Sequence, residues 1–160
     1  MIVLKQQDVK TEIDNWIKED TIRQQNVAKR NTLSYHIADY VEALGEWTHI
    51  ATIRPPHFAL NIQNSSTLMK RLHQHDHILK VFWTLEKDTS RKNHLHVLLQ
   101  YIDRDNNMKD VIGRLNNMMG AKYDSGLVGY VDFIDQSKLR GSINYCCKYI
   151  NVNSAYGFEV

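Results

Sequence analysis

Lys92-Asn93-His94-Leu95-His96-Val97-Leu98-Leu99-Gln100 alternates with the period of a β-strand. On that period His94, His96, Leu98 and Gln100 share one face, and Leu95, Val97, Leu99 and Tyr101 share the other. The second face is wholly apolar, so other parts of the fold must cover it. The first presents two imidazoles two residues apart, which lets one cation take a nitrogen from each. Taken alone, His-x-His is also the pattern of solvated or hydrogen-bonded histidines. The flanking sequence weighs between the two.

Upstream, Ile78 to Glu86 is rich in β-branched and aromatic residues (Val81, Phe82, Trp83, Thr84, Leu85) and reads as a strand. The polar segment from Lys87 to Asn93 reads as the turn of a hairpin. Glu86 precedes His94 by eight positions. If those two pair, Thr84 faces His96 and all four side chains lie on one face. Two imidazoles and a carboxylate on a rigid hairpin make a three-ligand site with open positions. The plainer alternative for Glu86 is an exposed hairpin carboxylate.

Downstream lies Tyr145-Cys146-Cys147-Lys148-Tyr149, in a stretch from Ser137 to about Asn151 that reads as a helix. Helical spacing puts Tyr145 and Tyr149 on one face, with Lys148 beside them. A phenol is a poor nucleophile while protonated, at a pKa of about 10. A lysine or a nearby cation stabilises the phenolate, or a phosphorane formed on it. Half-buried packing is the plainer role for helical tyrosines.

The rest of the chain frames these segments. Its 160 residues form one domain with a core of useful size. A net charge of +2 permits nucleic acid as a partner without demanding it. No run of about 18 apolar residues occurs, and Met1 to Gln7 are too short and polar for a secretory signal, so a soluble intracellular protein without membrane contact is expected. Cys146 and Cys147 read as buried thiols. Residues 1–45 read as an N-terminal helical extension, broken near Asp20-Thr21 and closed by Gly45. Trp47 to Arg54 reads as a strand stopped by Pro55-Pro56. Asn64-Ser65-Ser66 offers the cap of a helix to about His75. Asn106 can cap another through Met119, Gly120 and Gly126 bracket a loop, and Leu127 to Ile134 reads as a strand. His73-x-His75-x-His77 sits at a helix-to-strand junction, where helical spacing splays its first two imidazoles apart. The fold class expected is α+β. Residues 46–152 form a ferredoxin-like βαββαβ antiparallel sheet with a C-terminal helix that would carry the catalytic tyrosines, and 153–160 form a tail.

Glu86, the His94-Leu95-His96 pair and Tyr145-x-x-Lys148-Tyr149 together resemble the HUH endonucleases, in particular the rolling-circle replication initiators. The tyrosine spacing is most similar to the two-tyrosine class of bacteriophage replication gene A proteins. Thr48 and Thr52 answer to that family's first, threonine-containing strand. The resemblance spans roughly residues 47 to 151 and implies a specific chemistry. His94, His96 and Glu86 would hold Mn²⁺ or Mg²⁺ over a phosphate of single-stranded origin DNA. Tyr145 would attack to leave a 5′-phosphotyrosine and a free 3′-hydroxyl, Tyr149 would make a second cleavage, and Lys148 would steady the developing charge. Lys87, Arg91, Lys92 and Lys138 or Arg140 would bind the DNA backbone. A separate helicase and polymerase would be partners. Two other classes stay open: a non-catalytic nucleic-acid-binding module, and a zinc hydrolase that uses the histidines and Glu86 to activate water.

Overall fold

The computed structural model of the chain describes residues 6–26, 33–54, 59–87, 93–102, 128–150 and 154–160. The fold is α+β: a five-stranded antiparallel sheet with four described helices. In chain order these are α1 (Gln6–Asn26), α2 (Leu33–Leu44), β1 (His49–Ile53), α3 (Ile62–His73), β2 (Ile78–Lys87), β3 (Asn93–Tyr101), β4 (Val128–Phe133), α4 (Leu139–Cys147) and β5 (Ala155–Glu159). The sheet runs β4-β1-β3-β2-β5, so the histidine strand β3 lies at its centre.

Alternation on the strands divides the core in two. Ala51, Ile53, Leu95, Val97 and Leu99 face α3, which buries Leu68, Met69 and Leu72 against them. Full burial of each such aliphatic side chain is worth about 2 kcal/mol. Ile50, Phe82 and Leu98 point the other way, into a layer holding Val9 and Ile13 of α1, Val41 of α2 and Ile143 of α4. The first two helices therefore contribute Val9, Ile13, Ala38 and Val41 to the buried layer on this face. No described helix is long and apolar enough to cross a membrane.

Several boundaries differ from the sequence expectation. Helix α1 runs through Asp20-Thr21 to Asn26. Asp20 does not cap a helix; it is buried and accepts a hydrogen bond from Asn144 Nδ2 at 2.9 Å. Helix α3 begins earlier than expected, because Asn61 is its cap. The Asn61 side chain accepts from the Asn64 amide at 2.8 Å, and Asn64 returns the bond to the Asn61 amide at 2.7 Å. Gly45 does close α2, at φ +67°. The segment read as a tail forms β5, which extends the sheet beyond β2 through Thr84↔Tyr156 and Trp83↔Gly157. Gly157 is required there, since a Cβ would lie 2.5 Å from the Trp83 indole nitrogen. The helix expected at 106–119 and the loop between Gly120 and Gly126 lie outside the described residues.

The last helix is shorter than its periodicity suggests. Asp135 caps a 3₁₀ turn at Gln136–Lys138, and α4 then ends at Cys147 with Lys148 as its cap. The Ile150 amide bonds back to the Cys147 carbonyl at 3.0 Å. Tyr149 thus falls in the turn after the helix, not on its face.

Candidate metal centre and tyrosine pair

The ladder between β2 and β3 pairs Glu86 with His94 and Thr84 with His96. That register puts the carboxylate and both imidazoles on the face shared with α4, at the end of the hairpin near the joining turn. The two Nε2 atoms stand 3.1 Å apart, Glu86 Oε2 is 3.1 Å from His96 Nε2, and Glu86 Oε1 is 3.7 Å from His94 Nε2. A single N–H···N bond accounts for the first distance. So does joint ligation, because two nitrogens about 2.1 Å from one ion at right or tetrahedral angles lie roughly 3.0–3.4 Å apart. Among the described residues this is the one group of three or more candidate ligands, with donor atoms all within 4.8 Å of one another.

Protonation suits the same role. Burial depresses the proton affinity of His96 against the pull of Glu86, which favours the neutral ligand form. Burial would raise Glu86, but its bond with His96 and the nearby Lys148 and His94 charges outweigh that and keep its pKa below the ordinary value. On β1, Thr52 Oγ1 lies 3.4 Å from His96 Nδ1, the outer limit of a hydrogen bond. An acceptor there favours the Nδ1–H tautomer and leaves Nε2 free for a cation.

The tyrosine motif meets this centre from above. The Tyr145 ring stands edge-on to the His96 ring, with centroids 4.8 Å apart. Thr84 Oγ1 donates to the Cys146 carbonyl at 3.0 Å and ties the hairpin to the helix. Lys148 is half-buried, with Nζ 3.8 Å from Glu86 Oε1, 3.6 Å from the centre of the Tyr145 ring and 5.2 Å from that of Tyr149. Burial lowers its pKa, and Glu86 opposes this.

The two tyrosines nevertheless differ. Tyr145 is 2 % exposed and Tyr149 is 64 % exposed. Trp16 of α1 covers Tyr145 with an edge-to-face contact at 5.7 Å. Burial, followed by nearby Glu12, Cys146 and Glu86, raises the Tyr145 hydroxyl far above the usual phenol range. Tyr149 instead lines the rim of a cleft of about 520 Å³ that also takes in Asn61, Thr84, Glu86, Lys87 and Asn93. Trp16 reads as a core position from its periodicity, and nothing in the sequence pairs it with Tyr145.

Glu86, His94, His96, Tyr145 and Lys148 thus come together, and Tyr149 joins them across the cleft. Of the proposed DNA-contact cations, Lys87 lines the same cleft as Glu86 and Tyr149, whereas Lys138 and Arg140 do not line it. Lys138 is exposed at the opposite end of α4, ten residues and roughly 15 Å of helical rise from Lys148. Arg140 is engaged by Asp39 at 2.7 Å and Glu42 at 2.5 Å, so it clasps α4 to α2. Its assignment to a phosphate gains no support from those partners. Arg91 and Lys92 lie outside the described residues. Cys146 and Cys147 are free and buried, which raises both thiols, Cys147 to about 12. Among the described residues His75 and His77 approach each other with ring centroids 5.4 Å apart and gather no third ligand. Comparison with family models, curated proteins and solved structures gave no match for this chain.

Proposed function

We propose that the chain is a metal-assisted DNA nickase and strand transferase with tyrosine nucleophiles, an HUH endonuclease most like the two-tyrosine initiators of rolling-circle replication. One observation carries this reading. Tyr145 rests against His96 of the ligand triad, with Lys148 between Glu86 and both tyrosine rings. A zinc hydrolase would use the triad and leave the tyrosines and Lys148 without a role. The antiparallel order β4-β1-β3-β2, with α3 crossing from β1 to β2, supports a ferredoxin-like sheet that β5 extends.

In this mechanism Glu86, His94 and His96 hold Mn²⁺ or Mg²⁺, which when bound polarises the non-bridging oxygens of the phosphate. The Tyr145 phenol oxygen bonds to phosphorus as the P–O3′ bond breaks. The phenol proton is lost, and the departing oxygen takes up a proton to become a 3′-hydroxyl. The 5′-phosphotyrosine keeps the phosphorus at the diester level, so attack by a 3′-hydroxyl reverses the step and joins strands. Lys148, beside both rings, balances negative charge as it develops. Tyr149 at the rim of the cleft serves the second cleavage. The substrate is single-stranded or origin DNA, and the free 3′-end suits a separate polymerase and helicase.

The test is incubation with single-stranded oligonucleotides and Mn²⁺, followed by a denaturing gel. A covalent adduct that fails to form when EDTA is present during incubation, and in the Tyr145→Phe, Tyr149→Phe double variant, supports the reading. An adduct that survives both substitutions refutes it. Turnover without an adduct points to the hydrolase, and EDTA-insensitive binding without cleavage points to a binding module.

A further inference from the structure

We infer that Arg54 is a phosphate-binding residue of this site, gripping the backbone of the single strand on the β1 side of the triad. The inference rests on the nickase reading and adds a residue to it. Strand β1 pairs with β3 through Thr52↔His96 and Ile53↔Leu95. One further step along this register sets Arg54 across from His94. The step is well founded, because Pro55 restricts the residue before it to extended backbone. Arg54 therefore shares a sheet face with Thr52, whose hydroxyl approaches His96.

The site then reads as two rows across three strands. Thr52, His96 and Thr84 form one, and His94 and Glu86 form the other, which the continued register extends to Arg54. Glu86 and Lys148 lie on one side of the histidine strand and Arg54 lies on the other, with neighbouring strands about 4.8 Å apart. Burial dominates the proton affinities of His96, Lys148 and Tyr145, and Arg54 adds a downward pull on each, as a cation close to all three would. A guanidinium offers a planar fork of donors that matches two oxygens of one phosphate. A purely structural arginine would hold the strand end by packing and would carry no DNA charge.

The experiment uses the full chain. With Tyr145→Phe and Tyr149→Phe present to keep DNA intact, oligo-dT binding is measured with Mn²⁺ across a salt series. Arg54→Gln should reduce the slope of log K against log[salt] by about 0.7, the share of one phosphate contact on a single strand, and Arg54→Lys should restore it. With the tyrosines intact, Arg54→Gln should slow adduct formation on a randomised single strand roughly tenfold or more, and Arg54→Lys should recover only part, lacking the paired donors. An unchanged slope and wild-type adduct rates overturn the inference and leave the nickase reading standing. Oligo-dT binding without any wild-type adduct removes the nickase reading, while the slope still decides whether Arg54 holds a phosphate. If Arg54→Gln does not fold, Arg54→Lys decides: a full slope with slowed adduct formation supports the inference, and wild-type rates overturn it.

Discussion

Tyr145 and His96 meet edge to face at 4.8 Å, and Trp16 also meets the tyrosine edge to face at 5.7 Å. The phenol nearest the ligand triad is thus also the one shielded from solvent. Trp16→Ala should increase the Tyr145-linked nucleotide peptide relative to the Tyr149-linked one, read by mass spectrometry of tryptic digests. The lost ring pair should cost about 1 kcal/mol of stability. An unchanged ratio would mean that Trp16 does not limit access to Tyr145.

The triad should bind Mn²⁺ in the absence of DNA. At a free ion concentration near 100 times the dissociation constant, the ion should add about 2.7 kcal/mol to folding stability. His96→Ala and Glu86→Gln should each abolish that gain, measured by denaturant unfolding with Mn²⁺ or EDTA. Equal stabilisation of all three proteins would remove the metal site.

Acid should weaken this binding later than for a free imidazole. Burial lowers the pKa of His96, and its bond with His96 and the Lys148 charge keep the pKa of Glu86 low. At these two ligands protons therefore compete with the ion only below the ordinary imidazole midpoint of about 6.5. Mn²⁺ affinity followed by calorimetry should stay level as pH falls through that midpoint and decline beneath it. A decline centred at or above the midpoint would contradict the buried, neutral state of His96.

His49 should set part of the acid sensitivity of the fold. It is buried between Tyr101 and Phe133, and burial outweighs nearby Asp132 to bring its pKa down to about 4. The unfolded chain binds this proton at about 6.5, so stability from the neutral ring is complete above that pH and is lost as pH falls towards the folded value. The contribution is on the order of 3 kcal/mol. Denaturant midpoints measured from neutral pH to about 4 should fall less steeply for His49→Gln; parallel curves would assign the loss to other groups.

Arg140 should behave as a clasp. Arg140→Ala removes its bonds to Asp39, Glu42 and Asn144 and should lower stability by about 1 kcal/mol. The salt slope of DNA binding should stay as in the wild type. A reduced slope would return Arg140 to the DNA interface.

What was legible in the sequence follows from what was local. The alternation through His94, His96 and Leu98, and the even separation of Glu86 from His94, foretold a pairing that a single distance-independent rule governs. The N-terminus of α3 was misplaced because Asn61 and Asn64 are both good caps, and only their reciprocal bonds choose between them. Asp20 resembled a cap because its true partner, Asn144, is 124 residues away. Tyr145 and Tyr149 have helical spacing, yet the helix stops between them, which gives one a buried and the other an exposed place. Strand β5 is held by pairing with β2, a long-range contact that its own short run of residues does not announce.

The bond from Thr84 to the Cys146 carbonyl has an engineering consequence. Adding one residue inside β2 or β3 would turn the ligands away from the tyrosines, whereas lengthening the connection between Lys87 and Asn93 alters no pair in the ladder. That connection is the place where a new recognition segment can be grafted beside the chemistry without disturbing it.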